Sequence, residues 1–176
     1  KTINILAKGT GWDEIRNRKP SQDEETWGVN DSFLRIKCDK TFHMHDLNVF
    51  AEQASSKSST KLVTEWSKDY PEMEIFTTVP YNKINNIVLY PLDDIVKHFG
   101  ICYFTCTIDY MIAYALWKGV ETLNYYGVNM SVKEEYKEQK PGVEFWTGMA
   151  LGMGVKVGIQ YPHTSLLKTK DDKLYG

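Results

Sequence analysis

Cysteine is scarce in this chain, and its scarcity excludes two kinds of scaffold. Cys38, Cys102 and Cys106 are odd in number and none falls in a C-x-x-C spacing, so neither a disulfide framework nor a thiol-rich zinc site is indicated. Long apolar runs are missing too. No stretch approaches the roughly 20 residues that a membrane-crossing helix requires, and no signal peptide is expected ahead of the first apolar run. Positive charge is not in excess: 21 Lys and Arg face 23 Asp and Glu, a formal charge of −2. That removes the broad attraction on which sequence-independent nucleic-acid binding rests. The densest basic stretch, Lys133, Lys137 and Lys140, interleaves with Glu134, Glu135 and Glu138 as a solvated helix face would. Nucleophile motifs are equally thin, with no G-x-S-x-G elbow and no evident Cys-His arrangement. These absences predict a cytoplasmic protein with no membrane span and no nucleic-acid partner.

What is present is an ordinary globular composition, 42% hydrophobic and 25% charged over 176 residues, enough for one well-cored domain spanning 1–176. Apolar runs bounded by turn residues recur at 3–7, 26–29, 41–44, 74–77, 87–89, 122–126 and 155–159. Most are continuous rather than alternating, as strands buried on both faces are. Two helices are predicted between the later runs. The first covers about 107–118, with Ile108, Met111, Ile112, Ala115 and Leu116 on one stripe and Gly119 at its end. The second covers roughly 133–151, with Pro141 kinking it or opening its main part. Strand, helix, strand, helix, strand over 87–159 implies an α/β fold of three layers with a mainly parallel sheet. The polar, Ser-rich stretch 48–70 reads as a surface helix followed by a mobile lid.

In an open α/β sheet, ligands bind beyond the carboxyl ends of the strands. The polar residues at those ends are Gly9-Thr10-Gly11, Asn30-Asp31, His45-Asp46, and Gly127 with Asn129. The first set suits a phosphate, because glycine lets a ligand approach backbone N–H groups and a following helix would aim its positive end at an anion. It is not a complete dinucleotide or P-loop motif, so a plain strand-to-helix turn is the competing reading. His43 and His45 share one face of a strand but lack a third evident metal ligand. Thr105 and Thr107 stand at a helix start, where a hydroxyl either caps N–H groups or helps hold an anion. Asp109 suits the helix dipole. Glu144, among apolar neighbours, fits either a general base or a partner for a ribose or a backbone N–H.

The stretches "GTGW", "WGVND", "HMHDL", "YFTCTIDYMIAYALWKGVETLNYYGVNM" and "EEYKEQKPGVEFWTGMALGMGVKV" together resemble a Rossmann-like superfamily. It holds pterin diphosphokinase-like proteins, single-domain bacterial sialyltransferases and uncharacterised phage proteins. The resemblance covers most of the chain and rests on the order of its motifs. It implies that Gly9, Thr10, Gly11, Asn30 and Asp31 meet a nucleotide's phosphates and sugar, and that Thr105 and Thr107 hold the nucleotide or donor group. Gly127 and Asn129 would lie against the ribose or base, and Tyr136 would reach a phosphate. It implies a nucleotide-dependent transferase, moving either a sugar from a nucleotide sugar or a diphosphate from a nucleoside triphosphate. Asn30, Asp31, His45 and Asp46 would be its polar or metal-ordering set, with Mg2+ as the metal if one is used, and His45 and Asp46 are the catalytic candidates, His45 for acid–base work because an imidazole titrates near neutrality. The chain departs from the family's pattern at Trp12, where a small polar residue is usual, and at Asn129, where an Asp is usual. It also lacks a defensible match to the sialyltransferases' catalytic histidine. Those departures motivate an alternative, a phage module that binds a nucleotide-derived small molecule without turnover. Homo-oligomerisation is left open.

Overall fold

The apolar runs form the strands of one sheet. A computed structural model describes residues 1–48, 65, 68–132, 134–160 and 163–169. Its strands are β1 (Thr2–Leu6), β2 (Glu24–Val29), β3 (Lys40–Phe42), β4 (Glu74–Thr77), β5 (Ile87–Leu89), β6 (Thr122–Tyr126) and β7 (Lys156–Gly158). They pair in the order β5-β4-β3-β2-β1-β6-β7, and every pair is parallel. The fold is therefore a single α/β domain with a seven-stranded parallel sheet.

Side-chain alternation along each strand feeds two separate cores. Ile3, Ile5, Trp27, Phe42, Phe76, Leu123 and Tyr125 face the helices α1 (Leu92–Phe99), α2 (Thr107–Trp117) and α3 (Lys140–Gly152). At the centre of this side Phe42 stacks on Phe76 with ring centroids 4.6 Å apart, and Tyr114 of α2 lies 5.0 Å from Phe76. Leu6 and Ile75 point the other way, onto Ile15, Phe33, Tyr81 and Ile84. That side is covered in part by short 3-10 turns, Trp12–Asn17 and Ser32–Leu34, so the two outer layers are unequal.

The helices differ from the sequence expectation in instructive ways. Helix α2 ends where Gly119 takes φ 73°, and the N–H groups of Gly119 and Val120 close on the carbonyls of Leu116 and Ala115 at 3.0 and 3.1 Å, the reciprocal pattern of a Schellman ending. The second expected helix is split. Glu135–Gln139 forms a π-helical turn and α3 begins at Lys140, with Pro141 in its first turn; proline has no N–H to continue an i→i−4 ladder, so the turn before it widens. Helix α1 was not anticipated, although Asp93 and Asp94 in its first turn, Lys97 and His98 in its last and Gly100 at φ 68° are end signals. The expected lid falls outside the described residues except for Asn48, Glu65 and residues 68–70. No helix among the described residues is long and apolar enough to cross a membrane.

Two glycines separate backbone strain from helix propensity. An added Cβ meets nothing within 4 Å at either Gly119 or Gly148. Only Gly119 needs a positive φ. Gly119→Ala is expected to destabilise by about 1 kcal/mol, whereas Gly148→Ala, inside α3, should stabilise by roughly 0.5–1 kcal/mol. Urea unfolding of the two variants checks the opposite signs.

Candidate functional site

The chain adds β2 to β5 on one side of β1 and then returns to place β6 on the other. The carboxyl ends of β1 and β6 therefore diverge at a topological switch point, where an open α/β sheet leaves a crevice. Past the strands the two backbones stay in contact: Ala7 N–H donates to the Tyr126 carbonyl at 2.8 Å and Gly9 N–H to the Gly127 carbonyl at 2.9 Å. A Cβ at Gly9 would lie 1.6 Å from Asn129 Oδ1 and 2.5 Å from the Gly127 oxygen. At Gly127, with φ 68°, it would lie 2.8 Å from the Gly9 oxygen. Only glycine fits at either place.

Above these turns is a cavity of about 690 Å3. Of the residues singled out in the sequence, Gly9, Thr10, Asn30, His45, Thr105, Thr107, Gly127 and Asn129 line it. Gly11, Asp31, Asp46 and Tyr136 do not. Gly11, at φ 83°, is the N-cap of a 3-10 turn, so the expected α-helix after the glycines is absent and its dipole with it. Asp31 pairs with Lys8 Nζ at 2.6 Å. Asp46 accepts from the backbone N–H and side chain of Asn48 at 2.8 and 3.1 Å. Tyr136 is exposed on the π-helical turn, its ring 4.4 Å from Lys140 Nζ.

The helix N-terminus at the cavity is that of α2. Its N-cap is Cys106 rather than either threonine. Asp109, fully buried, turns back so that its Oδ2 accepts from Thr105 N–H at 2.6 Å, Thr105 Oγ1 at 2.8 Å and Cys106 N–H at 3.2 Å. Burial raises the Asp109 pKa, against those hydrogen bonds. Gly142 of α3 packs here, since a Cβ would sit 2.3 Å from Thr105 Oγ1 and 2.4 Å from Asp109 Oδ2. The arrangement leaves Thr107 and Ile108, the first residues of α2, lining the cavity. A helix has no internal acceptors for its first N–H groups, and its dipole is positive there. Cys106 also lines the cavity, but burial pushes its thiol up to about 12, so it is a protonated thiol at neutral pH and not a nucleophile.

Two amides add acceptors. Asn30, at φ 53°, and Asn129 both line the cavity, and each has a buried Oδ1 with no hydrogen-bond partner. A bound hydroxyl or amino group would satisfy them. Asn129 is held from its other end, its Nδ2 donating to the carbonyls of His163 and Thr10.

The histidines divide by burial. His43 is 4% exposed and its ring centroid is 5.4 Å from that of His45. Burial first, and His45 second, push its pKa down to about 4. His45 is exposed, and partial desolvation by its surroundings lowers its pKa as well. Sequence reasoning did not place His163, yet it lines the cavity with Nε2 3.4 Å from Glu14 Oε1. Gln160 ties this pair to the strand end: its Nε2 donates to Glu14 Oε2 at 2.5 Å and its Oε1 accepts from Gly127 N–H at 3.3 Å. No motif marks these residues. They reach the site because β7 lies beside β6. Glu135 and Gln139, also unforeseen, line the cavity from the π-helical turn. Glu144 lies outside the lining; its Oε1 accepts from Leu167 N–H at 2.7 Å and lies 3.5 Å from Lys140 Nζ, the arrangement of a backbone partner.

Among the described residues no group of three His, Cys, Asp or Glu side chains is placed to hold a metal ion. The described lining contains one carboxylate, Glu135.

No protein-family model matches the chain, and no curated protein sequence matches it. Solved structures do. The sialyltransferase CstII from Campylobacter jejuni in complex with the substrate analogue CMP-3FNeuAc matches at 13% identity and a TM-score of 0.58, over 99% of this chain and 88% of that one. The same enzyme with a trisaccharide acceptor and CMP matches at 14% and 0.57, over 94% and 83%. Thiamine pyrophosphokinase from Bacillus subtilis matches at 14% and 0.49, and this chain spans 60% of its length. The chain shares the Rossmann-like fold of the sialyltransferase.

Burial of His43 has a consequence for stability. Its pKa in the folded protein lies below the unfolded value of 6.5, so as pH falls from 6.5 towards 4 the unfolded chain takes up a proton that the folded one refuses. Stability is expected to fall across that window by roughly 3 kcal/mol from this residue alone. Urea unfolding at several pH values checks it: His43→Gln should flatten the slope, and an unchanged slope would contradict the assignment.

Proposed function

We propose that the protein is a nucleotide-dependent transferase that moves a glycosyl group from a nucleotide sugar to a hydroxyl acceptor. The observation that carries this reading is the cavity at the β1/β6 switch point, where the Gly9–Gly127 contact, the N-terminus of α2 and two unpartnered amide oxygens converge. The fold shared with an enzyme solved with CMP and CMP-3FNeuAc supports it. In this reading the phosphate sits against Thr10, Thr107 and the first N–H groups of α2, and Asn30 and Asn129 take ribose or base donors. Gly11, Asp31 and Asp46 act from behind, by shaping the turns. Tyr136 stands on the rim.

The acceptor oxygen attacks the anomeric carbon, and the bond from that carbon to the phosphate oxygen breaks with its electron pair going to the nucleotide. The acceptor's proton passes to an imidazole. His45 is our choice for that base, because it is accessible at the cavity and its lowered pKa leaves it neutral and able to accept a proton at pH 7. His163, oriented by Glu14, is the second candidate. Diphosphate transfer fits less well. It relies on Mg2+ between carboxylates and phosphates, and the described lining has the single carboxylate Glu135; no step is assigned to that metal.

The position of Asp46 outside the lining favours a second reading, a module that binds a nucleotide-derived molecule without turnover. One experiment separates the two. CMP-, UDP- and GDP-sugars are screened by thermal shift, where a ligand at 100 times its Kd should add about 2.7 kcal/mol, and release of the nucleotide is followed by mass spectrometry with added acceptor. Transfer predicts a shift and acceptor-dependent release that His45→Gln lowers about 100-fold with binding retained. A shift with no release supports the binding module, and no shift with any nucleotide overturns both.

A further inference from the structure

Only three of the chain's 21 basic residues are arginines, Arg16, Arg18 and Arg35. All three lie against aromatic rings beside the first two strands. Arg18 stacks 5.8 Å from Tyr126 and is neutralised by Glu24, with Nη1 to Oε2 at 2.8 Å. The other two share one ring: the guanidinium carbons of Arg16 and Arg35 lie 5.1 and 5.0 Å from the centroid of Trp12. Arg16 Nη2 donates to the Arg35 carbonyl and Arg35 Nη1 to the Lys8 carbonyl, each at 3.0 Å. Trp12 itself packs with Ile15 and Phe33, on the sheet face away from α2 and α3, so neither guanidinium lines the cavity.

Neither guanidinium has an anionic partner among the described residues. Asp31 is taken by Lys8 and Glu14 by Gln160 and His163, while the exposed Asp13 pairs with neither arginine. Two exposed cations thus lie on one ring, neither of them ion-paired among the described residues. Each spends one N–H on a backbone carbonyl, and a guanidinium has five, arranged in a planar fork that matches an oxyanion. Because ring and carbonyls already hold both side chains, binding costs little further ordering. Lysine would supply the charge without the fork or the stacking, and this chain, otherwise rich in lysine, places arginine here.

We propose that Arg16 and Arg35, held on Trp12, form an oxyanion-binding site outside the nucleotide cavity, one that takes the phosphate or carboxylate group of a second small molecule. The site stands whether or not the cavity binds a nucleotide.

With three arginines the chain gives three Nε–Hε signals in a 15N-correlated NMR spectrum, which makes the test direct. The protein is titrated with inorganic phosphate and, separately, with citrate, at constant ionic strength. The Arg16 and Arg35 signals, assigned by their loss in Arg16→Lys and Arg35→Lys, are expected to shift and saturate while that of Arg18 stays in place. The anion that saturates at the lower concentration distinguishes phosphate from carboxylate. Arg35→Lys keeps the charge and is expected to weaken binding about tenfold, through loss of the fork. Three signals drifting in parallel without saturation, no shift of Arg16 and Arg35 with either anion, or unchanged affinity in Arg35→Lys would each overturn the proposal. The wild-type titration decides it if a variant fails to fold.

Discussion

The site depends on one close approach, the contact between the Gly9 and Gly127 backbones where β1 and β6 end. A parallel sheet whose chain reverses direction across β1 must open there, and how far it opens depends on what fills the gap. Side chains at either glycine would collide with the opposite backbone or with Asn129. With glycine at both, the strand ends stay hydrogen-bonded for three residues past Leu6. The amide of Asn129 is then pinned beside Gly9, and the cavity floor becomes backbone instead of side chain.

The walls follow from that floor. On one side Asp109 draws the N–H groups of Thr105 and Cys106 inward, and the start of α2 is left facing the cavity. On the other side Glu14, Gln160 and His163 link the 3-10 turn after β1 to the segment after β7. Trp12 belongs to the same construction. It stands where a small polar residue was expected, and its Cβ would lie 2.9 Å from a Cβ at Gly127, so the large ring closes the back of the turn, where Arg16 and Arg35 both lie over it.

The strands were legible because burial on both faces makes continuous apolar runs, and the strand ends were legible because glycine, asparagine and histidine interrupt those runs abruptly. Sorting polar residues by strand end brought Gly9, Asn30, His45 and Asn129 to one cavity without any complete motif. Two kinds of information were not legible. Asp31 and Asp46 are neighbours of lining residues, and the one-residue difference between facing the cavity and facing a local partner is set by Lys8 and Asn48, which sequence spacing does not reveal. His163 and Gln160 arrive by tertiary placement of β7, more than 30 residues after the strand they support. Local propensity also failed at 135–139, where Pro141 downstream turned a helical pattern into a wider turn.

The central claim is that the switch-point cavity is where a nucleotide binds. Hydrogen–deuterium exchange with and without CMP tests it most directly, because backbone N–H groups form much of the proposed cradle. The account predicts slowed exchange at residues 9–10, 107–108 and 127–129, with the amides near 33–38 and 69–73 unaffected. Protection confined to those latter segments, or no protection at CMP concentrations that raise the unfolding temperature, would contradict it.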